Sequence, residues 1–106
     1  MTMASSREYL EYVLDLLSEV SSISHRYMMS EYVLYHRGKV FGGIYDDRFL
    51  VKPTKSATEI LPDAQWETPF EGAKDMLLVD TEDKDLIKRL VEAMYDELTE
   101  PKKKKR

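Results

Sequence analysis

Residues 24–52 read SHRYMMSEYVLYHRGKVFGGIYDDRFLVK, and this stretch decides the fold. Tyrosine, valine, leucine and phenylalanine crowd it, residue types that suit a pleated, half-buried surface, and no 3.6-residue period runs through it. Short polar or glycine-containing breaks fall at Ser30-Glu31, Gly38-Lys39 and Asp46-Asp47. The spacing predicts strands over 24–29, 32–37, 40–45 and 48–52. Connections this short join antiparallel neighbours, because a parallel pair needs a crossover of about a dozen residues or more. The expectation is an antiparallel meander that ends at Pro53, whose nitrogen cannot donate to a ladder.

The flanks read as helices. Before the meander, Tyr9, Leu10, Val13, Leu14, Leu16, Leu17 and Val20 are the apolar positions, with Glu8, Glu11, Asp15, Ser18 and Glu19 on the other face, which is the pattern of an amphipathic helix. Ser5 and Glu8 have the spacing of a capping box at its start, and the serines at 21, 22 and 24 end it. After the meander, residues 54–61 predict a short helix with Thr54 as cap and Pro62 as stop. Residues 63–74, with Trp66, Pro69 and Gly72, read as loop, and 76–79 as one further buried strand. Asp80 or Thr81 can cap a last helix that runs to about Leu98, with Leu86, Ile87, Leu90, Val91 and Met94 on its apolar stripe. Glu82, Asp83 and Asp85 then fall in its first turn, where the macrodipole favours anions. The order α-β-β-β(-β)-α-β-α predicts a two-layer α+β fold, a mostly antiparallel sheet with helices on one face.

The chain of 106 residues and 12.4 kDa fits a single domain over 5–98, followed by a basic tail at 99–106 that is expected to be disordered. A hydrophobic share of 42% beside 34% charged residues suits a soluble globule and is too apolar for intrinsic disorder. The net charge is −4, but five of the 16 cations are residues 102–106, which leaves 11 against 20 carboxylates elsewhere, a balance of −9. A body of that sign is ill suited to displacing counterions from a duplex. The absence of cysteine removes disulfides, thiol nucleophiles and thiolate zinc sites. The first six residues are polar with no apolar h-region, and no stretch approaches the roughly 18 apolar residues of a membrane span, so the expected setting is cytoplasmic, without a membrane partner.

His25 and His36 are the only imidazoles, and with Asp46 or Glu31 nearby they would make a metal constellation, but the HExxH spacing is missing and both read as ordinary strand residues. The acids at 80, 82, 83 and 85 do not form an EF-hand loop, since Asp85 stands where glycine is required and Val91 where glutamate is. Gly42-Gly43 marks a bulge or a close approach, with a strand packed under a helix or large side chain as the favoured explanation. Neither GxGxxG, GxxxxGK[ST] nor GxSxG occurs. No catalytic residue, cofactor site or metal site is assigned, and the reading is non-enzymatic.

Within the same stretch, Arg26-Tyr27-Met28-Met29-Ser30, Tyr32-Val33-Leu34-Tyr35, Gly38-Lys39-Val40-Phe41, Asp46-Asp47-Arg48 and Phe49-Leu50-Val51-Lys52 resemble the N-terminal domain of the TfoX/Sxy family, associated with regulation of natural competence in bacteria. The resemblance extends over roughly residues 5–98. It departs from the family at Met29, where phenylalanine is usual, and at Ser30, where glycine is usual; a turn that needs positive φ would be strained or reshaped by Ser30. The second, helical domain of full-length regulators is not part of this chain, which looks like a stand-alone N-terminal domain. The resemblance implies a regulatory domain that works through protein contacts or self-association. Arg26, Tyr32 and Lys52, among the aromatic and basic residues of the sheet, are the candidate binding residues. The alternatives are nucleic-acid binding through residues 102–106 and the Tyr-rich face, and a small-molecule or metal module built on His25 and His36.

Overall fold

The computed structural model describes residues 6–98. In chain order it contains α1 (Arg7–Leu16), β1 (Ile23–Met28), β2 (Glu31–His36), β3 (Lys39–Ile44), β4 (Phe49–Val51), α2 (Lys55–Ile60), β5 (Trp66–Glu67), β6 (Met76–Leu78) and α3 (Lys84–Met94), with a 3-10 turn at Tyr95–Glu97. The six strands form one antiparallel sheet in the order β1-β2-β3-β4-β6-β5, and the fold is α+β as expected. The meander is β1 to β4. Two further strands follow where one was predicted, because Trp66–Glu67 pairs with β6 inside the segment read as loop.

The three hairpin turns are Met29-Ser30, Arg37-Gly38 and Asp46-Asp47, and all six central residues have positive φ. Two-residue turns with this sign at both positions match the right-handed twist of their strands. Aspartate tolerates the left-handed region, whereas methionine, serine and arginine enter it at a cost. The first two turns lie one residue earlier than predicted, since Glu31 and Lys39 pair inside β2 and β3. Ser30, at φ 71, occupies a position of the kind that glycine relieves, so its departure from the family pattern falls where backbone conformation matters.

One apolar layer lies between the helices and one face of the sheet. Leu10, Val13 and Leu16 of α1 and Ile87, Leu90, Val91 and Met94 of α3 join Leu34, Phe41, Phe49, Val51 and Leu77 in a single buried cluster. Phe41 and Ile44 both belong to it, although three residues apart on a strand they should face opposite ways. A bulge reconciles them: Leu34 pairs with Gly42 and Tyr35 with Val40, so Phe41 is the extra residue. Gly42 sits at this bend, and an added Cβ would strike the Leu50 carbonyl oxygen and stand 2.9 Å from the Val51 Cα. The close approach anticipated for the glycine pair is to the β4 backbone at Gly42, and to the Tyr32 carbonyl oxygen and the Tyr45 ring at Gly43; of the two expected causes, the large side chain holds and the helix does not.

Caps differ in detail from the sequence reading. Ser6, not Ser5, caps α1, its hydroxyl accepting from the Tyr9 N–H at 3.0 Å; Ser5 lies outside the described residues. Thr54 caps α2 as predicted. Asp83 caps α3, its carboxylate accepting from the N–H groups of Asp85 and Leu86 at 3.1 Å, so that helix starts later than Asp80 or Thr81 would place it. Its last turn tightens to 3-10 geometry before Leu98.

Candidate functional site

The helix-covered face of the sheet is filled by core, so any site on the sheet belongs to its other, outer face. Registered pairs point to the same side, which places Arg26, Val33, Gly43, Leu50 and Leu78 in one row across that outer face. Leu50 is absent from the helix-side cluster that holds its neighbours Phe49 and Val51, as alternation requires. It is nevertheless fully buried. On the same face the segment 68–75 lies beside Val40, Tyr45 and Lys52.

Arg48 holds that segment down. Its guanidinium pairs with Glu67 at 2.7 Å and donates to the carbonyl oxygens of Thr68 at 3.1 Å and Pro69 at 3.3 Å, while Nε donates to the Tyr45 carbonyl at 3.0 Å. A planar fork that fills several acceptors at once is the kind of contact arginine makes and lysine cannot. Within the segment, the Thr68 hydroxyl donates to Asp75 at 2.6 Å and the Ala73 N–H to the Phe70 carbonyl at 3.0 Å. Phe70 is thereby set against Tyr45, ring centroids 6.1 Å apart, with the Tyr45 ring lying over Gly43. Burial, followed by the nearby Glu31 charge, pushes the Tyr45 phenol above its ordinary value.

Between this segment and the sheet runs an open groove of about 360 Å³, with Val40, Tyr45, Phe70 and Met76 as apolar walls and Lys52 and Lys74 on its lining. Phe70 remains 58% exposed. Beyond the groove, toward β1, the outer face carries half-buried Val33, Tyr35 and Val40 beside exposed Arg26 and Met28. The turn that joins β1 to β2 projects Met29, 92% exposed.

The three candidate residues are not gathered in one place. Arg26 and Lys52 share the outer face, Arg26 on the edge strand and Lys52 at the groove. Tyr32 faces the helices, is only 9% exposed, and meets the Tyr27 ring at 5.0 Å, tilted by 54°, and His25 edge-on at 6.0 Å. Tyr27 is the accessible ring of that pair, at 56% exposure. Tyr45 and Phe70, the rings that shape the groove, were not singled out as binding residues; Phe70 sits in a segment with no apolar period to mark it.

The histidines also separate. His25 pairs with Leu34 and is exposed, whereas His36 pairs with Ile23 and is buried, its Nδ1 2.9 Å from the Ser21 carbonyl oxygen. Among the described residues no group of three histidine and carboxylate side chains gathers as a metal site. His36 instead meets the ring of Tyr95 edge-on at 5.5 Å; the Arg37 guanidinium stands 4.6 Å and the Lys39 ammonium 4.1 Å from the same ring. Lys39 also donates to the Tyr95 carbonyl at 3.2 Å, a cation at the negative end of α3.

Of the acids expected in the first turn of the last helix only Asp85 lies there; Asp83 is the cap, Glu82 accepts from the Tyr12 hydroxyl at 2.7 Å, and Asp15 pairs with Lys84 at 3.3 Å, tying α1 to the start of α3. The hydrogen bond to Glu82 pushes the Tyr12 phenol up to about 12. At the other end, Glu97 accepts from the Ser56 hydroxyl at 2.7 Å and N–H at 3.0 Å, which holds its carboxyl below the usual range and joins α2 to the end of α3. No described helix is long and apolar enough to cross a membrane. The basic residues 102–106 lie outside the described residues.

Comparison with known proteins gives two matches. The sequence profile of the TfoX N-terminal domain matches residues 15–98. An uncharacterized 12.7 kDa protein encoded in the trpE 5′ region of Spirochaeta aurantia is 33% identical over 78 residues, which span 74% of this chain and 68% of that protein. No solved structure matches.

Proposed function

This chain belongs to the TfoX N-terminal domain family, which is associated with competence regulation, and from that membership we propose that it is a non-enzymatic regulatory module acting through protein contacts on the outer face of its sheet. The observation that carries the reading is the half-buried Val33, Tyr35 and Val40 patch, flanked by Arg26 and Met28 and continuous through Val40 with the groove beside Phe70. Contiguous apolar surface with a polar rim is what a protein interface needs. In this reading Arg26 and Lys52 are contact residues, Tyr32 and its registered partner Tyr27 lie on the helix side away from the contact face, and the module works in the cytoplasm.

The test is co-purification from a native lysate at physiological salt, with the full chain and its Val33→Glu variant side by side. A partner retained by the parent and lost from the folded variant supports the proposal. An inert monomer that retains nothing counts against it. Titration with single- and double-stranded DNA at two salt concentrations, before and after removal of residues 102–106, tests the alternative: salt-sensitive binding that vanishes with the tail would move the function to nucleic acid.

A further inference from the structure

We propose that the groove under Phe70 receives an acidic peptide segment of a partner protein, an extended stretch with one bulky apolar side chain flanked by aspartate or glutamate. The proposal rests on the protein-contact reading and specifies the chemistry of the contact.

Charge is the first argument. The walls contributed by Val40, Tyr45, Phe70 and Met76 are apolar, and the charged side chains at the groove are Lys52, Lys74 and Asp75. Asp75 is already engaged by the Thr68 hydroxyl at 2.6 Å. Neither lysine ammonium has an ion pair among the described residues. Two unmatched cations beside an apolar trough thus stand in a body whose balance is −9, and with Asp75 counted the groove's own lining is still net positive, opposite in sign to the body as a whole. Screening confines the repulsion of the distant carboxylates to about 8 Å at physiological salt, leaving the local lysines to set the preference.

Shape is the second. The groove is open along its length and runs onto the half-buried strip of Val40 and Tyr35, which suits an extended chain that lays one side chain against Phe70 and continues across β3. Single-stranded nucleic acid is also anionic and stacks on aromatic rings, but it needs a train of cations along its backbone, and two lysines do not supply one.

The experiment is selection of a random peptide display library on the immobilised full chain at about 0.15 M salt. The expected outcome is convergence on sequences with leucine, phenylalanine or tryptophan next to at least two acids. A synthetic peptide from that class should bind about tenfold more weakly to Lys52→Glu/Lys74→Glu, and about tenfold more weakly to Phe70→Ala. Convergence on basic or uncharged peptides overturns the proposal, as does acidic-peptide binding indifferent to the lysine reversal. Saturable binding of decanoate with no enriched peptide class overturns it in favour of a small carboxylate ligand. If the lysine and Phe70 variants retain a natural partner that Val33→Glu loses, the protein-contact reading stands and the groove assignment falls.

Discussion

On its helix side the sheet is sealed by side chains from three helices, with Phe41, Phe49, Leu34 and Leu77 fully buried beneath them, whereas the outer side relies on one irregular segment held by the guanidinium of Arg48. The first seal is apolar burial, which needs no directional contact. The second is a fork of hydrogen bonds over a small apolar patch, and it leaves Val33, Tyr35 and Val40 half-buried and Phe70 exposed. The contrast separates a face closed by apolar packing from a face closed by directional contacts, and the proposed contact surface is the second.

Four measurements break or sharpen that contrast. The largest effect is expected from Phe41→Ala, which removes a fully buried ring and should cost about 3–5 kcal/mol in urea unfolding, while Val33→Ala on the outer face should cost under about 1 kcal/mol. Equal losses would erase the distinction between the faces. Next is Arg48→Ala, which removes an ion pair and three carbonyl contacts; about 1–3 kcal/mol of stability should go, and hydrogen exchange at the Ala73 amide should accelerate more than at core amides. Uniform acceleration across the chain would show that the outer segment is not a separate unit.

Ser30→Gly should act in the opposite direction. Relief of a left-handed serine should add about 1 kcal/mol, read as a rise in Tm, and leave any outer-face binding unchanged. The smallest effect concerns Tyr12, whose phenol is raised to about 12 by its bond to Glu82. A raised folded value means that the contact contributes below the ordinary phenol range, near 10, and is lost as pH climbs through about 12. Ultraviolet titration should show late-ionising phenols fewer by one in Tyr12→Phe, and in Glu82→Gln one of them should move down toward 10.

The helix side was legible because its signals are periodic: the stripe of Ile87, Leu90, Val91 and Met94 and the Thr54 cap state their structure locally. The predicted strand positions were legible to within one residue, the error arising at Met29-Ser30 and Arg37-Gly38, where Met29, Ser30 and Arg37 take positive φ that their identities do not announce. The start of α3 was misplaced because Asp80, Thr81 and Asp83 are all competent caps and only tertiary placement selects Asp83. The outer groove was the least legible. It depends on β5, only two residues long, and on the long-range reach of Arg48 to Glu67, Thr68 and Pro69, neither of which leaves a pattern in the chain. Tyr32 shows the same limit in reverse, since an aromatic on a strand can point to either face and its registration against Ile44 turns it inward.

The turns of the meander also bear on how the molecule assembles. Four strands joined by two-residue links bring their partners together with little loss of chain entropy, since closing a short loop restricts few bonds. The demanding closure lies elsewhere, where Leu50 must find Leu78 across a stretch that includes all of α2 and β5. Folding speed should therefore respond to lengthening the chain between β4 and β6 far more than to changes inside the hairpins.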